Sequence, residues 1–388
     1  MSDNRIYLDN AATTAMDQRV MESILPFLTS GFGNASSLHT DGVRARNAVE
    51  AARQQIAATI NAAPEELYFT SGGTESNNWA LKGIAFANRE KGNHIIVSSI
   101  EHDCVLNTCR WLKQNGFRIT YLPVGCEGIV DPQKLKKWIT PETILISVMH
   151  ANNELGTIQP IGEIGMIARE RNILFHTDAC QSFGKIPLDV RLQNIDLMTI
   201  NAHKIYGPKG VGALYVKRNV PIEPLLHGGG QEHGMRSTTE NVAGIVGFAK
   251  AVELCMNEMS REAERLSSLV KRLACCLEES IEGVYFNGSR DHRLPGYLNF
   301  GISGMEGDSI RLLLLLDDQG VSVSTGSACS SNAANGVSSH VLQAIGRNPL
   351  EARGAIRITL GRFNTGEEID SFCRILINIH KELNSIFS

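Results

Sequence analysis

Between Glu66 and Val216, short β-rich runs alternate with amphipathic helical stretches. Glu66–Thr70, His94–Ser99, Phe117–Leu122, Thr143–Met149, Asn172–Phe175, Leu197–Ile200 and Gly212–Val216 read as strands. Gln133–Trp138 and Ile161–Arg169 are among the helices between them. Several runs, Thr143–Met149 above all, are almost continuously apolar and do not alternate. Such a strand is buried on both faces, so a layer of helices has to cover each side of the sheet. Parallel strands also need long crossover connections, which the intervening helices supply. The pattern therefore predicts an α/β fold with a mostly parallel sheet flanked by helices.

The texture changes near Ser260. A Glu/Arg/Leu-rich helix over Arg261–Glu279 reads as a connector, followed by short strands at Val284–Phe286 and Tyr297–Phe300. The last helix carries its own start signal, a capping box of Thr365 and Glu368, and then Ile369, Phe372, Ile375, Leu376 and Ile379 at helical spacing. No internal repeat or low-complexity linker separates the parts, so they are expected to pack tightly. A chain of 388 residues is long enough to bury its core without disulfide or metal staples.

Charge and cysteine usage exclude several function classes. Lys plus Arg number 37 and Asp plus Glu 41, a net charge of −4, which gives no reason to expect nucleic acid or an anionic membrane as partner. The leucine run Leu312–Leu316 is far too short to span a bilayer, and no apolar segment follows Met1 as a secretory signal would. The nine cysteines include no CxxC pair, which argues against a disulfide framework and against a zinc knuckle. A reduced, cytoplasmic protein without a metal site is the expectation.

In open α/β sheets, ligands sit at the carboxyl ends of the strands, and polar residues cluster there in this chain. Asp178 and Gln181 follow one strand; His203 and Lys204 follow the next. A lysine able to form a Schiff base, with an acid to keep a pyridine nitrogen protonated, is the binding logic of pyridoxal phosphate. Singly, Asp178 reads as a helix cap and Lys204 as a surface lysine; together, at adjacent strand ends, the cofactor reading is the better one. Ser71-Gly72-Gly73-Thr74-Glu75 lies between a strand and a helix, where backbone N–H groups can approach a phosphate. Walker and GxGxxG patterns are both missing, which counts against an NTPase or a Rossmann dehydrogenase.

Three further residues stand out. His102 follows the His94–Ser99 run and can stack on a flat ring or move a proton near neutral pH. Arg357, in Ala355-Ile356-Arg357-Ile358-Thr359, is either a charge on an exposed strand or a guanidinium fork for a carboxylate. Cys329 sits among small polar residues, from Ser324 to Gly336, with the composition of an exposed mobile loop. A reactive cysteine needs such access. Cys180, Cys255, Cys275, Cys276 and Cys373 lie in apolar or helical contexts and read as structural.

These motifs occur in an order that resembles the NifS/IscS-type cysteine desulfurases, which are fold type I pyridoxal-phosphate enzymes. The likeness runs from Tyr7–Thr14 to the last helix, and its most specific blocks are Ser71–Asn77, Glu101-His102, His150–Gly156, Asp178–Gln181, His203–Gly210, His227–Asn241, Ser324–Ser331 and Arg357–Arg362. The resemblance implies a large domain over residues 16–260 with a seven-stranded sheet. It implies a smaller α+β domain from residues 1–15 and 261–388 that carries a cysteine loop at about 322–337.

The resemblance also implies roles. Lys204 would hold the cofactor and move the Cα proton, Asp178 would pair with the pyridine nitrogen, and Gln181 would bond the phenolic oxygen. His102 would stack on the ring and serve in acid/base steps. Gly73, Thr74, His203 and Asn201 would hold the phosphate, with Asn201 standing where Ser or Thr is usual. Thr239 would reach the phosphate of a neighbouring subunit, making a homodimer the working unit. Asn153 and Arg357 would bind the carboxylate of L-cysteine, Asn34 would line the entrance, and Cys329 would be the nucleophile. The implied activity removes sulfur from L-cysteine, leaving L-alanine and a Cys329 persulfide for an acceptor protein, an iron–sulfur scaffold first among them. The alternatives are a selenocysteine lyase, another pyridoxal-phosphate lyase, or an assembly protein without turnover.

Overall fold

The computed structural model describes residues 5–325 and 338–387, with side chains to residue 383. In chain order the first part comprises β1 (Ile6–Tyr7), α1 (Gln18–Leu28), α2 (Thr40–Thr59), β2 (Leu67–Thr70), α3 (Gly73–Ala87), β3 (His94–Ser98), α4 (Asp103–Gln114) and β4 (Arg118–Leu122). There follow α5 (Pro132–Trp138), β5 (Thr143–Ser147), α6 (Ile161–Glu170), β6 (Leu174–Asp178), β7 (Leu197–Asn201), β8 (Gly212–Val216) and α7 (Val242–Ser280). The rest is β9 (Val284–Phe286), β10 (Tyr297–Ile302), α8 (Ser309–Asp318), β11 (Val321–Ser322), β12 (Ser324–Thr325), α9 (His340–Ala344), α10 (Pro349–Gly354), β13 (Ile356–Thr359) and α11 (Gly366–Phe387).

Among the described residues the main sheet has seven strands in the order β2-β8-β7-β6-β5-β3-β4. Only β8 runs against its neighbours β2 and β7; the other pairings are parallel. Strands β3, β5, β7 and β8 are buried at every residue, the burial that their continuous apolar runs predict. One face packs on α1, α2 and the start of α7, through Val20, Ile56, Phe248 and Val252. The other packs on α3 and α4, through Trp79, Leu81, Val105 and Leu112. This is the mostly parallel α/β sheet, covered on both faces, that the sequence predicts.

A second sheet, β12-β13-β10-β9, is antiparallel. It shares a separate apolar core with α11 and the latter part of α7, through Leu273, Leu298, Ile358 and Phe372. Leu8, next to β1, belongs to this core, and β1 pairs with β11. The α11 start is capped reciprocally: Glu368 N donates to Thr365 Oγ1 at 3.2 Å, and Thr365 N donates to Glu368 Oε2 at 3.1 Å.

Two elements differ from the sequence reading. The helix expected over Arg261–Glu279 is the second half of α7, which is 39 residues long and begins at Val242. Its first half touches the main core with Ala243, Gly244, Ile245, Gly247, Phe248 and Ala249 all buried, so no polar face marks a helical period there. The strand expected over Asn172–Phe175 is displaced to Leu174–Asp178, because Asn172 takes a turn conformation with φ of +54°. The polar residues His176, Thr177 and Asp178 extend the strand because each is satisfied inside. His176 Nδ1 lies 2.9 Å from Ser147 Oγ, and Thr177 Oγ1 donates to the Val148 carbonyl at 2.8 Å.

Candidate active site

The parallel strands β2, β3, β5, β6 and β7 all deliver their following residues to one edge of the sheet. Gly73 and Thr74, His102, Asn153, Asp178 and Gln181, and Asn201, His203 and Lys204 converge there on a cavity of about 160 Å³. Arg357 enters its wall from β13 of the second sheet. Most are therefore placed close to the end of a strand or in the first turn of a helix; Asn153 sits in the turn that follows β5.

At one end of the cavity α3 starts at Gly73 with no side chain among the described residues capping its N-terminus, so its first-turn N–H groups can serve an anion. The backbone reaches this point through Gly72 at φ of +150°, a conformation that favours glycine. A Cβ on Gly73 would lie 2.7 Å from Cys180 Sγ, so the close packing of helix on strand requires glycine here. Thr74, His203 and Asn201 face the same space. The His203 imidazole, depressed to about 4 by burial and by Lys204 and Lys209 beside it, is neutral at physiological pH. The Asn201 Oδ1 is buried with no hydrogen-bond partner in the described residues.

Asp178 closes β6 with both carboxylate oxygens engaged. Oδ2 accepts from Asn77 Nδ2 at 2.6 Å, and Oδ1 accepts from the Cys180 backbone N–H at 2.9 Å. Asn77 lies three residues beyond Thr74, on the same face of α3, and its Oδ1 is buried without a hydrogen-bond partner among the described residues. His102 caps α4: its Nδ1 accepts from Cys104 N at 3.2 Å, which puts the proton of the neutral ring on Nε2. Burial and the Lys204 ammonium lower its basicity. Cys104 Sγ sits 3.1 Å from His102 Nδ1 and 3.2 Å from Asn77 Nδ2, and burial pushes its thiol up to about 12. Cys180 also lines the wall as an un-ionised thiol, its acidity suppressed by burial and by Asp178.

Arg357 is 1% exposed, which removes the reading of an exposed strand charge. Its Nη2 donates to Asp9 Oδ1 at 2.6 Å and its Nη1 to the Asn153 carbonyl at 3.0 Å. Two buried carboxyls stand behind the site. Glu101, next to His102, accepts from Ser98 Oγ and from Met149 N, each at 2.6 Å, and burial raises it to about 8. Glu154, next to Asn153, accepts from Ser339 Oγ at 2.5 Å and is raised by burial to about 7.

The single chain does not bring every expected residue to the cavity. Asn34 is exposed in a turn, its Oδ1 accepting from Ser36 N at 2.9 Å, and Thr239 is exposed in the segment before α7. Cys329 lies outside the described residues. Conversely, Asn77, Cys104 and Tyr297 touch the site residues without having been singled out in the sequence. For Asn77 the signal was available, one helical turn beyond Thr74. Tyr297 donates to Gln181 Oε1 from the second sheet, a contact that only the assembled fold creates.

The donor set fits pyridoxal phosphate. An uncapped helix N-terminus with Thr74, Asn201 and His203 suits the phosphate, Asp178 suits a protonated ring nitrogen, and the Lys204 amine suits an aldehyde. Among the described residues no group of His, Cys, Asp or Glu could hold a metal ion.

Known proteins are similar to this chain in sequence and fold. Residues 6–372 match the model of the family described as aminotransferase class-V. A protein of Dictyoglomus turgidum named cysteine desulfurase IscS is 52% identical over 382 residues, covering 98% of this chain and 96% of that one. Another of that name, from Methanosarcina thermophila, is 49% identical over 381 residues, covering 98% and 93%. Among solved structures, a NifS-like protein superposes with a TM-score of 0.90 at 39% identity, covering 97% of this chain and 99% of the other. A structure titled SspA in complex with cysteine superposes with a TM-score of 0.82 at 42% identity, covering 93% and 100%.

Proposed function

The chain belongs to the class-V aminotransferase family, and from that premise we infer that it is a cysteine desulfurase, a pyridoxal-phosphate enzyme that takes sulfur from L-cysteine and leaves L-alanine. The observation that carries this reading to the residues is the meeting of Lys204, Asp178, His102 and Arg357 in one cavity at the carboxyl edge of the sheet.

Pyridoxal phosphate bound in this cavity supplies an electron sink for the pair left at the substrate Cα. The α3 N-terminus, Thr74, Asn201 and His203 would hold its phosphate, and Asp178, fixed by Asn77 and Cys180, would keep the ring nitrogen protonated. Lys204 would anchor the cofactor, and its amine would remove the Cα proton and return one. Arg357, with Asn153, binds the substrate carboxylate; the substrate then replaces Asp9 as partner of the guanidinium. His102 presents Nε2–H, a group suited to proton transfer at the face of the ring.

Cys329 is the nucleophile in this reading. Its thiolate attacks the substrate sulfur, an S–S bond forms as the C–S bond breaks, and the carbon gains a proton to become the alanine methyl. The described flanks of its segment both reach the site. Ser324 pairs with Arg357 in the second sheet, and His340 Nε2 lies 3.0 Å from the carbonyl of Glu101, next to His102. Incubation with L-cysteine followed by peptide mass analysis tests this: one added sulfur on the peptide with Cys329 supports it, and an unmodified Cys329 beside alanine production refutes it.

The working unit in this reading is a homodimer in which Thr239 serves the neighbouring site. Met21, Leu25 and Leu28 form an exposed apolar face on α1, and the nearby Phe32 and Leu38 are 79% and 88% exposed, a surface suited to a second copy. The two cores support a division near residue 260, between Cys255 in the first and Leu266 in the second. The persulfide would pass to a sulfur-acceptor protein, an iron–sulfur scaffold being the family's main one. No described helix is long and apolar enough to cross a membrane, and a cytoplasmic site of action fits the reduced cysteines.

A further inference from the structure

Gln181 reaches the cavity wall with its amide almost fully committed. Its Nε2 donates to the Ala11 carbonyl at 3.0 Å, and its Oε1 accepts from the Tyr297 hydroxyl. Tyr297, 2% exposed, is the first residue of β10 in the second sheet. Its hydroxyl in turn receives Lys185 Nζ at 3.3 Å; this amine lies 5.3 Å from the ring centroid, and burial, with Lys204 nearby, lowers its basicity to about 7. Lys185 makes no ion pair within the described residues; the charged and titratable groups around it are Lys204, Arg357 and Cys255.

The direction of this chain of bonds is forced from one end. A carbonyl can only accept, so the Gln181 atom facing Ala11 is the nitrogen and the atom facing Tyr297 is the oxygen. Tyr297 must then spend its one hydrogen on Gln181, and its oxygen can only accept from Lys185. One hydrogen on Gln181 Nε2 is left uncommitted.

We propose that Tyr297 and Lys185 are positioning residues, which hold the Gln181 amide so that this remaining N–H serves the phenolic oxygen of bound pyridoxal phosphate. The inference rests on the cofactor reading above. It makes the second sheet a contributor to cofactor tuning and not only to substrate binding. Without Tyr297 the amide keeps only its Ala11 bond and is free to turn.

The test uses the holoenzyme and the pH midpoint of the cofactor's visible absorbance, compared among wild type, Tyr297→Phe, Gln181→Leu and the double variant. Loss of an N–H donor to an ionised oxygen makes that oxygen more basic. Tyr297→Phe is therefore expected to raise the midpoint by about half a unit, and Gln181→Leu to raise it at least as far. The double variant is expected to match Gln181→Leu alone. Affinity of the apoprotein for pyridoxal phosphate, read by fluorescence, is expected to fall several-fold in all three. An unmoved midpoint in Tyr297→Phe, or a double variant in which the two shifts add, overturns the proposal. Should Tyr297→Phe fail to fold, Lys185→Met gives the same reading, with a smaller rise expected and no rise overturning it. A wild-type chain that develops no visible band with pyridoxal phosphate overturns the cofactor reading itself, and the relay with it.

Discussion

Asn77 Nδ2 lies 2.6 Å from Asp178 Oδ2, a buried bond that ties α3 to the end of β6. The helix whose N-terminus would face the phosphate thereby also fixes the acid that would pair with the ring nitrogen. Asn77→Ala removes one of the two hydrogen bonds that orient this carboxylate. Loss of a buried bond to a charged group costs about 1–3 kcal/mol, so affinity for pyridoxal phosphate is expected to fall about 5- to 100-fold. Titration of the apoprotein with the cofactor measures this; wild-type affinity would remove Asn77 from the site.

In the proposed reading Arg357 serves the substrate carboxylate and not the cofactor ring. Its guanidinium is already desolvated and paired with Asp9, so binding exchanges one carboxylate for another. Arg357→Ala is expected to raise KM for L-cysteine about 10- to 100-fold, the worth of a charge-assisted hydrogen-bonded pair, with a smaller effect on kcat. Steady-state kinetics separates the two. A change confined to kcat would place Arg357 outside carboxylate binding.

Glu101 gives the protein a pH-dependent weakness. Burial raises its carboxyl from 4.5 to about 8, and the nearby Asp178 charge adds to this. Between those values the folded chain binds one more proton than the unfolded chain, so stability from this group is complete below about 4.5 and is lost as pH rises through 8. Glu101→Gln keeps the acceptor for Ser98 and Met149 without the ionisation. The difference in Tm between Glu101→Gln and wild type is expected to widen in favour of the variant from pH 5 to pH 8. A difference that stays constant over this range contradicts the assignment.

Glu232 anchors the segment that carries Thr239. Its carboxylate, 2% exposed, accepts from Arg53 at 2.7 and 2.9 Å and from Phe69 N on the edge strand β2 at 2.8 Å. The residue holds φ of +49° to do so. Glu232→Gln leaves the buried Arg53 charge with only the half-exposed Glu50 as counter-ion. A loss of about 3 kcal/mol in unfolding free energy is expected, measured by urea denaturation. An unchanged midpoint would show the pair to be energetically idle.

Much of the site was legible because strand ends leave a signature in sequence. Asp178, Lys204, His102 and Gly73 each follow an apolar run, and the parallel sheet then dictates that they meet. Arg357 was ambiguous because a short strand with one charge reads alike whether exposed or, as here, wrapped by Asp9 and Asn153. The start of α7 was illegible for the opposite reason: buried on several sides from Ala243 onward, it shows no polar face. Tyr297 and Lys185 could not be found from spacing at all. They lie 112 residues apart and meet only where the two sheets pack.

The most direct measurement is alanine formation from L-cysteine by the pyridoxal-phosphate-loaded protein, run beside Cys329→Ala. Alanine from the wild type and none above background from the variant is the expected result. Equal alanine from both would contradict persulfide chemistry at Cys329, and none from either, with cofactor bound, would contradict the desulfurase activity itself.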